Sequence, residues 1–137
     1  MKRVLSNVSR AFALLLAGLG SGCTSSVAPE GCAQNVNLAV TPAANPLFSW
    51  SPACGVSSLS VARVPSQPGG VGELVWGFSV SEQTPIGPPI RYGASPAGAR
   101  IWTPPRALEA GATYRVQVVM TVGGDVLVST GERDFTR

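Results

Sequence analysis

Two acidic residues near the end of the chain have the type and spacing that could support acid–base chemistry. Glu132 and Asp134 are two residues apart, so on a β-strand they would share one face. Paired carboxylates can hold a proton with a raised pKa and act as a general acid. Arg133 and Arg137 stand beside them, and such mixed charge is more typical of a solvent-exposed strand end. A small carboxylate-based hydrolase is therefore an alternative interpretation, not the preferred one.

Other catalytic groups are missing from the sequence. It contains no histidine, which removes the usual activating base for a serine or cysteine nucleophile. The only lysine, Lys2, lies in an N-terminal segment that we expect to be removed. Residues 69–72 are glycine-rich, but neither a lysine nor a helical pattern follows, so no phosphate-binding loop is predicted. Cys32 and Cys54, with no histidine and no third thiolate nearby, make a poor metal site. The sequence predicts a non-catalytic protein without cofactor or metal.

The basic charge of the chain belongs to its N-terminus. The formal net charge is +3, but after residue 22 seven arginines face seven acidic residues, which gives a net charge of zero (7 − 7). No basic stripe remains to neutralise phosphates, so we expect no nucleic-acid partner.

The first 23 residues have the pattern of an export signal. Three basic residues precede the apolar run 11–19, and small residues lead to Cys23. Nine apolar residues are too few for a membrane span, which needs about 20. The residues Ser21, Gly22 and Cys23 resemble the cleavage motif of bacterial lipoproteins, although Gly20 stands where that family prefers leucine.

The lipoprotein resemblance implies a signal peptide over 1–22, acylation of Cys23 and a flexible tether over 23–31. In Gram-negative lipoproteins an aspartate after the cysteine favours the inner membrane, so Thr24 implies an outer-membrane protein facing the periplasm or the cell surface. The alternatives are a plain signal peptide cleaved after Ala28, which would give a soluble periplasmic protein, or no cleaved signal. If Cys23 carries lipid, Cys32 and Cys54 remain as a pair. A disulfide between them would contribute about 3 kcal/mol; the alternative is two buried free thiols.

Alternating apolar residues predict an all-β domain over 32–137. We expect strands at 36–40, 47–50, 59–64, 73–80, 114–122 and 125–130. The proline-rich segment 81–105 offers two candidates for a seventh strand, Ile90–Tyr92 and Ala99–Trp102, which would be short or lie at a sheet edge.

Two features of the domain resemble the fibronectin type III and immunoglobulin-like superfamily. Leu108 stands six residues before Tyr114, which opens a strand, as in the tyrosine corner of Greek-key sandwiches. Trp50 ends the second strand just before Pro52. The resemblance implies a seven-stranded antiparallel Greek-key sandwich with Trp50 in its core and the Tyr114 hydroxyl bonded to nearby backbone.

These observations favour a lipid-anchored protein of the cell envelope whose sandwich acts as a binding, adhesion or spacer module for an envelope protein or polymer. Aromatic residues and arginine dominate interface energetics. The candidate partner-binding residues are therefore Trp76, Phe78, Arg91, Tyr92, Arg100 and Trp102. For Trp76 and Phe78 core packing is the preferred interpretation and an aromatic patch exposed to a partner is the alternative, and Gly77 between them predicts a bulge or a close backbone approach.

Overall fold

The computed structural model describes Cys32 and residues 35–122 and 126–137. The predicted signal peptide 1–22, the lipidation site Cys23 and the tether up to residue 31 lie outside the described residues.

Eight β-strands, and no helix, are present in this part of the chain. They are β1 (Asn37–Thr41), β2 (Leu47–Ser51), β3 (Ser58–Arg63), β4 (Glu73–Ser79), β5 (Ile90–Arg91), β6 (Arg100–Thr103), β7 (Thr113–Val122) and β8 (Val126–Thr136). The prediction of seven strands is wrong because both candidates in the proline-rich segment form a strand. Among the described residues no helix is long and apolar enough to cross a membrane.

The strands form two antiparallel sheets that face each other in a sandwich-like arrangement. One sheet has the order β1-β2-β5 and the other β6-β4-β3-β7-β8. The proline-flanked strands β5 and β6 both lie at sheet edges, where a missing N–H costs no ladder hydrogen bond. The residues buried between the sheets form one continuous core, which includes Phe48, Trp50, Trp76, Phe78 and Tyr114.

The predicted corner before β7 is confirmed in its hydrogen bonding. Tyr114 is buried, and the backbone N–H of Glu109 donates to its hydroxyl oxygen across 2.8 Å. Leu108 is buried beside it. Trp50 is also a core residue, as predicted, and its indole N–H donates to the carbonyl oxygen of Cys54 across 2.7 Å.

A bulge in β4 changes which side chains face the core. Val61 pairs with Trp76, but the next residue, Ala62, pairs with Leu74, so Val75 is an extra residue in β4. One extra residue reverses the inward–outward alternation. Leu74 therefore shares the outer face with Ala62. Unbroken alternation along β4 would instead have placed Leu74 on the same face as Trp76.

The last strand is longer than predicted and continues to Thr136. Gly131 lies inside it and makes room for the start of the domain. A Cβ at Gly131 would lie 2.5 Å from Val36 Cγ2 and 2.9 Å from the Val36 carbonyl oxygen. The Val36 N–H also donates to the carbonyl oxygen of Thr130 across 3.2 Å. Gly131 therefore lets the chain that leads into β1 pack directly on β8.

Candidate functional site

The six candidate partner-binding residues divide into a buried and an exposed group. The buried residues are Trp76, Phe78 and Tyr92, and the exposed residues are Arg91, Arg100 and Trp102. The structure therefore does not bring the six together on one surface. Burial of Trp76 and Phe78 confirms the core-packing interpretation, whereas the expectation that Tyr92 is exposed is wrong.

Trp76 and Phe78 belong to the aromatic centre of the core. Both are fully buried, and their ring centroids lie 5.4 Å apart. The indole N–H of Trp76 has no hydrogen-bond partner among the described residues. The ring of Tyr92 meets Trp76 edge-on at 5.2 Å. These contacts make the aromatic residues of β4 structural.

Tyr92 is held at the β4 bulge by its hydroxyl. The hydroxyl donates to the carbonyl oxygen of Arg106 across 2.7 Å and lies 3.3 Å from that of Val75. The Val75 carbonyl also accepts a hydrogen bond from the Arg106 N–H, at 3.0 Å. Burial raises the pKa of the Tyr92 phenol above its ordinary value of 10.0. Tyr92 thus joins the bulge to the segment that leads into the tyrosine corner.

Trp102 lies flat on the outer face of the five-stranded sheet, the face that points away from the other sheet. Three adjacent atoms of its six-membered ring, Cζ2, Cη2 and Cζ3, lie at nearly equal distances from the position that a Cβ on Gly77 would occupy. Such nearly equal distances mean that a ring face, not an edge, covers the glycine. Trp102 is also the extra residue where β6 pairs with β4. The register shift between Gly77 and Phe78 confirms the predicted bulge, but a side chain, not a backbone, approaches Gly77 closely. Of the Trp102 surface, 45% stays exposed.

The arginines near the sheets differ in whether a carboxylate pairs with them. Arg63 pairs with Glu109 at 2.8 Å, Arg106 pairs with Glu73, and Arg115 pairs with Asp134 at 2.7 Å. No carboxylate within the described part of the chain pairs with Arg91 or Arg100. The positive charges of these two exposed arginines are therefore available to a partner.

The two acidic residues considered for catalysis lie on one face of β8, as their spacing predicts. Across the strand pair, Glu132 lies opposite Gln117, and Asp134 lies opposite Arg115. Arg115 Nε and one terminal nitrogen donate to the two Asp134 carboxylate oxygens across 2.7 and 2.9 Å. These bonds hold the pKa of Asp134 below its usual range and raise that of Arg115. A general acid at neutral pH needs the opposite shift.

The predicted disulfide is present between Cys32 and Cys54, with 5.7 Å between the Cα atoms. Both cysteines are buried. Cys54 follows the end of β2, at the end of the sandwich where β1 also begins. The disulfide therefore fixes the chain that follows the predicted tether to this end, which we call the proximal end.

Grooves at the opposite, distal end were not predicted from the sequence. The β3–β4 loop borders a groove of about 620 Å³ that extends to Gly111 and Thr113. A second groove of about 400 Å³ lies between Asn45, Tyr92 and Arg106. Val71 in the β3–β4 loop is 95% exposed. The only sequence signal for this region was the run of prolines and glycines over 65–72, which indicates a loop and no more.

The described residues contain no cluster of metal-binding side chains. Comparison of the chain with protein-family models, with curated proteins and with solved structures found no match.

Proposed function

We propose that the chain is a non-catalytic, lipid-anchored protein of the cell envelope, and that its sandwich is a fibronectin type III or immunoglobulin-like binding module. In this proposal Cys23 is acylated after removal of residues 1–22. The anchored protein resides in the outer membrane of a Gram-negative bacterium. The alternative is the same domain without lipid, as a soluble periplasmic protein.

The strand connections support the fold type. The chain crosses between the sheets from β2 to β3, returns from β4 to β5, and crosses again from β5 to β6. Such crossings are the mark of Greek-key sandwiches. The hydrogen bond between Tyr114 and the Glu109 backbone supports the same assignment, because it is the contact expected of a tyrosine corner. In this assignment β6 is an additional edge strand.

The separation of the two ends is the observation that best supports a binding role. The disulfide holds Cys32 at the proximal end, whereas both grooves described above lie at the distal end. From Cys23 to Cys32 a fully extended chain reaches roughly 30 Å, at about 3.3–3.6 Å per residue. An anchor at Cys23 would therefore keep the proximal end near the membrane and leave the distal loops and the sheet faces open to the envelope.

The electrostatics of β8 favour this role over hydrolysis. Asp134 accepts two hydrogen bonds from Arg115 and has a lowered pKa. A carboxylate held ionised in this way is a poor general acid at neutral pH.

Intact-mass measurement of the protein from its native membranes tests the proposal. We expect the mass of a chain that begins at Cys23 with three acyl chains, and alkylation of two thiols only after reduction. A Cys23→Ser variant provides the control, because it should lose the lipid mass and leave the membrane fraction while keeping the disulfide. A lipid-free mass for the unaltered protein would refute the anchor and favour the soluble alternative.

A further inference from the structure

Trp102 forms an aromatic platform on the outer face of the five-stranded sheet. One face of its six-membered ring lies against Gly77. The core beneath it is filled by Trp76 and Phe78. The residue is 45% exposed, so the other face of the ring is open to a partner. A flat aromatic surface of this kind can stack on another flat apolar surface.

The sheet beside this platform is lined with small hydroxyl side chains. β3 buries Leu59 and Val61, so its serines, Ser58 and Ser60, face outward. Ser60 lies opposite Gly77, and Ser58 lies opposite Ser79 in β4. On the far side of β3, Gln117 lies opposite Ser60. Two strand spacings separate β4 from β7, so the serines form the floor of a shallow trough roughly 10 Å wide.

Arg100 adds a positive charge to the same face. It pairs with Ser79 in the sheet register and stands two residues before Trp102. It is exposed, and among the described residues no carboxylate pairs with it, unlike Arg115 on the other side of the trough. We call the surface formed by Arg100, Trp102, Ser58, Ser60 and Ser79 the Trp102 face.

The chemistry of the Trp102 face fits a carbohydrate better than an extended peptide. A peptide added to a sheet needs free backbone groups, but β3 is paired on both sides, with β4 and β7. The sheet edge beside Trp102 is β6, a strand of four residues that ends at two prolines without N–H donors, so it offers little backbone for strand addition. Side-chain anchors would need apolar pockets, and the floor consists of hydroxyl groups. A sugar chain offers flat apolar ring faces for stacking and many hydroxyl groups for hydrogen bonds. The unpaired Arg100 adds a preference for carboxylate groups on the ligand.

We propose that the Trp102 face binds an acidic polysaccharide chain. The indole ring stacks on a sugar ring, the serine hydroxyls bond sugar hydroxyls, and Arg100 pairs with a carboxylate. This assignment names the partner of the binding role proposed above and rests on that role, but it does not depend on the lipid anchor.

Calorimetric titration of the full-length protein in detergent micelles tests this proposal. The probes are polyuronate oligosaccharides and neutral glucan oligosaccharides of equal length. We expect tighter binding of the polyuronate, with an affinity that falls as salt rises. Trp102→Ala should weaken binding of both sugars by roughly thirty-fold, the scale of an interface hot spot. Arg100→Gln should weaken only polyuronate binding and reduce its salt dependence.

Arg133→Gln is the matched control, because it removes an exposed arginine with the same change in charge from β8, where Arg133 lies opposite the buried Val116 and therefore on the other face of the sheet. It should leave both affinities unchanged. Arg100→Gln also protects the test against misfolding, since Trp102→Ala exposes Gly77 whereas Arg100→Gln removes no packing contact shown in the structure.

Three results would overturn the proposal. The first is an unaltered protein that binds neither sugar, and the second is equal loss of affinity in Arg100→Gln and Arg133→Gln. The third is tighter binding of an acidic peptide such as poly-glutamate at the same residues, which would make the partner a protein. The intact mass of the same preparation reports on the anchor separately, so failure of the sugar assignment is distinguishable from failure of the anchored function.

Discussion

Replacing Tyr92 by phenylalanine tests how the β4 bulge is stabilised. The hydroxyl of Tyr92 donates to the Arg106 carbonyl oxygen across 2.7 Å, and no other hydrogen bond to that oxygen is seen among the described residues. The Val75 carbonyl would keep its bond from the Arg106 N–H, at 3.0 Å. Tyr92→Phe therefore leaves one partly buried acceptor unsatisfied and changes the packing little.

The expected cost at neutral pH is about 1–2 kcal/mol, the usual penalty for one such acceptor. For a domain of this size, that lowers the melting temperature by roughly 4–16 °C, at about 4–8 °C per kcal/mol. If the substitution also left the Val75 carbonyl without a hydrogen bond, the loss of stability would be larger. The measured value therefore also reports whether the β4 bulge is retained.

The same substitution should change the stability at high pH. Because burial raises the pKa of Tyr92 above 10.0, the folded state keeps the phenol proton at pH values where the unfolded chain loses it. The free energy of unfolding therefore falls as pH rises from the unfolded pKa through the folded pKa. Phenylalanine cannot ionise, so this alkaline loss should be smaller in the variant, and the stability difference from the unaltered protein should shrink.

Urea unfolding followed by far-UV circular dichroism, from about pH 7 to about pH 11.5, measures both effects, because this range spans the ordinary tyrosine pKa. If the unaltered protein and Tyr92→Phe lost the same free energy of unfolding at alkaline pH, the assigned burial of the Tyr92 phenol would be refuted. A loss below about 0.5 kcal/mol at pH 7 would refute the hydrogen bond to Arg106, since it would lie below the typical range.

Three further substitutions test other contacts by urea unfolding. Gly131→Ala should lower the free energy of unfolding by about 1–3 kcal/mol, because the added Cβ would overlap the backbone and side chain of Val36. Gly87→Ala is the control and should have little effect, since no atom lies within 4 Å of the added Cβ. Equal effects of the two substitutions would contradict the predicted overlap. Cys54→Ser should cost about 3 kcal/mol, and a loss matched by simple reduction of the unaltered protein would confirm that the disulfide is responsible. Asp134→Asn should remove a stabilising contribution of the ionised carboxylate. That contribution is present above the ordinary aspartate pKa of 3.8 and is lost as pH falls through the lowered pKa of the folded state. An unchanged pH dependence of the free energy of unfolding in acid would contradict this prediction.

Local patterns were sufficient to predict most strands and the corner. Alternation placed β7 within one residue of its observed start, and the Leu108–Tyr114 spacing predicted a hydroxyl bonded to nearby backbone. Cysteine parity predicted the disulfide between Cys32 and Cys54. Each of these features depends on neighbours in sequence or on a simple count, which is why one sequence suffices for them.

The candidate site could be predicted only in part because exposure depends on strand pairing. Trp76 and Trp102 are the same residue type, and each stands in a short apolar run. Trp76 faces the other sheet. Trp102 lies on the outer face, where it is the extra residue of a bulge in β6 opposite Gly77. No period in the sequence distinguishes these cases, since the bulge is a property of the β4–β6 register. The distal grooves depend likewise on loops that meet only in the folded chain.

Glycines inside strands mark contacts between distant parts of the chain that the sequence pattern does not predict. Gly77 and Gly131 each accept a side chain from a distant part of the chain, Trp102 and Val36 respectively. At Gly131 the contacting residue, Val36, belongs to the hydrophobic core. At Gly77 the partner lies on the outer face, where core packing alone would not place a tryptophan. Covering a glycine requires only one face of the indole, and the other face remains in water. A ring held in this way has both a structural role and a surface for binding, so a loss of stability in Trp102→Ala would not argue against its role in recognition.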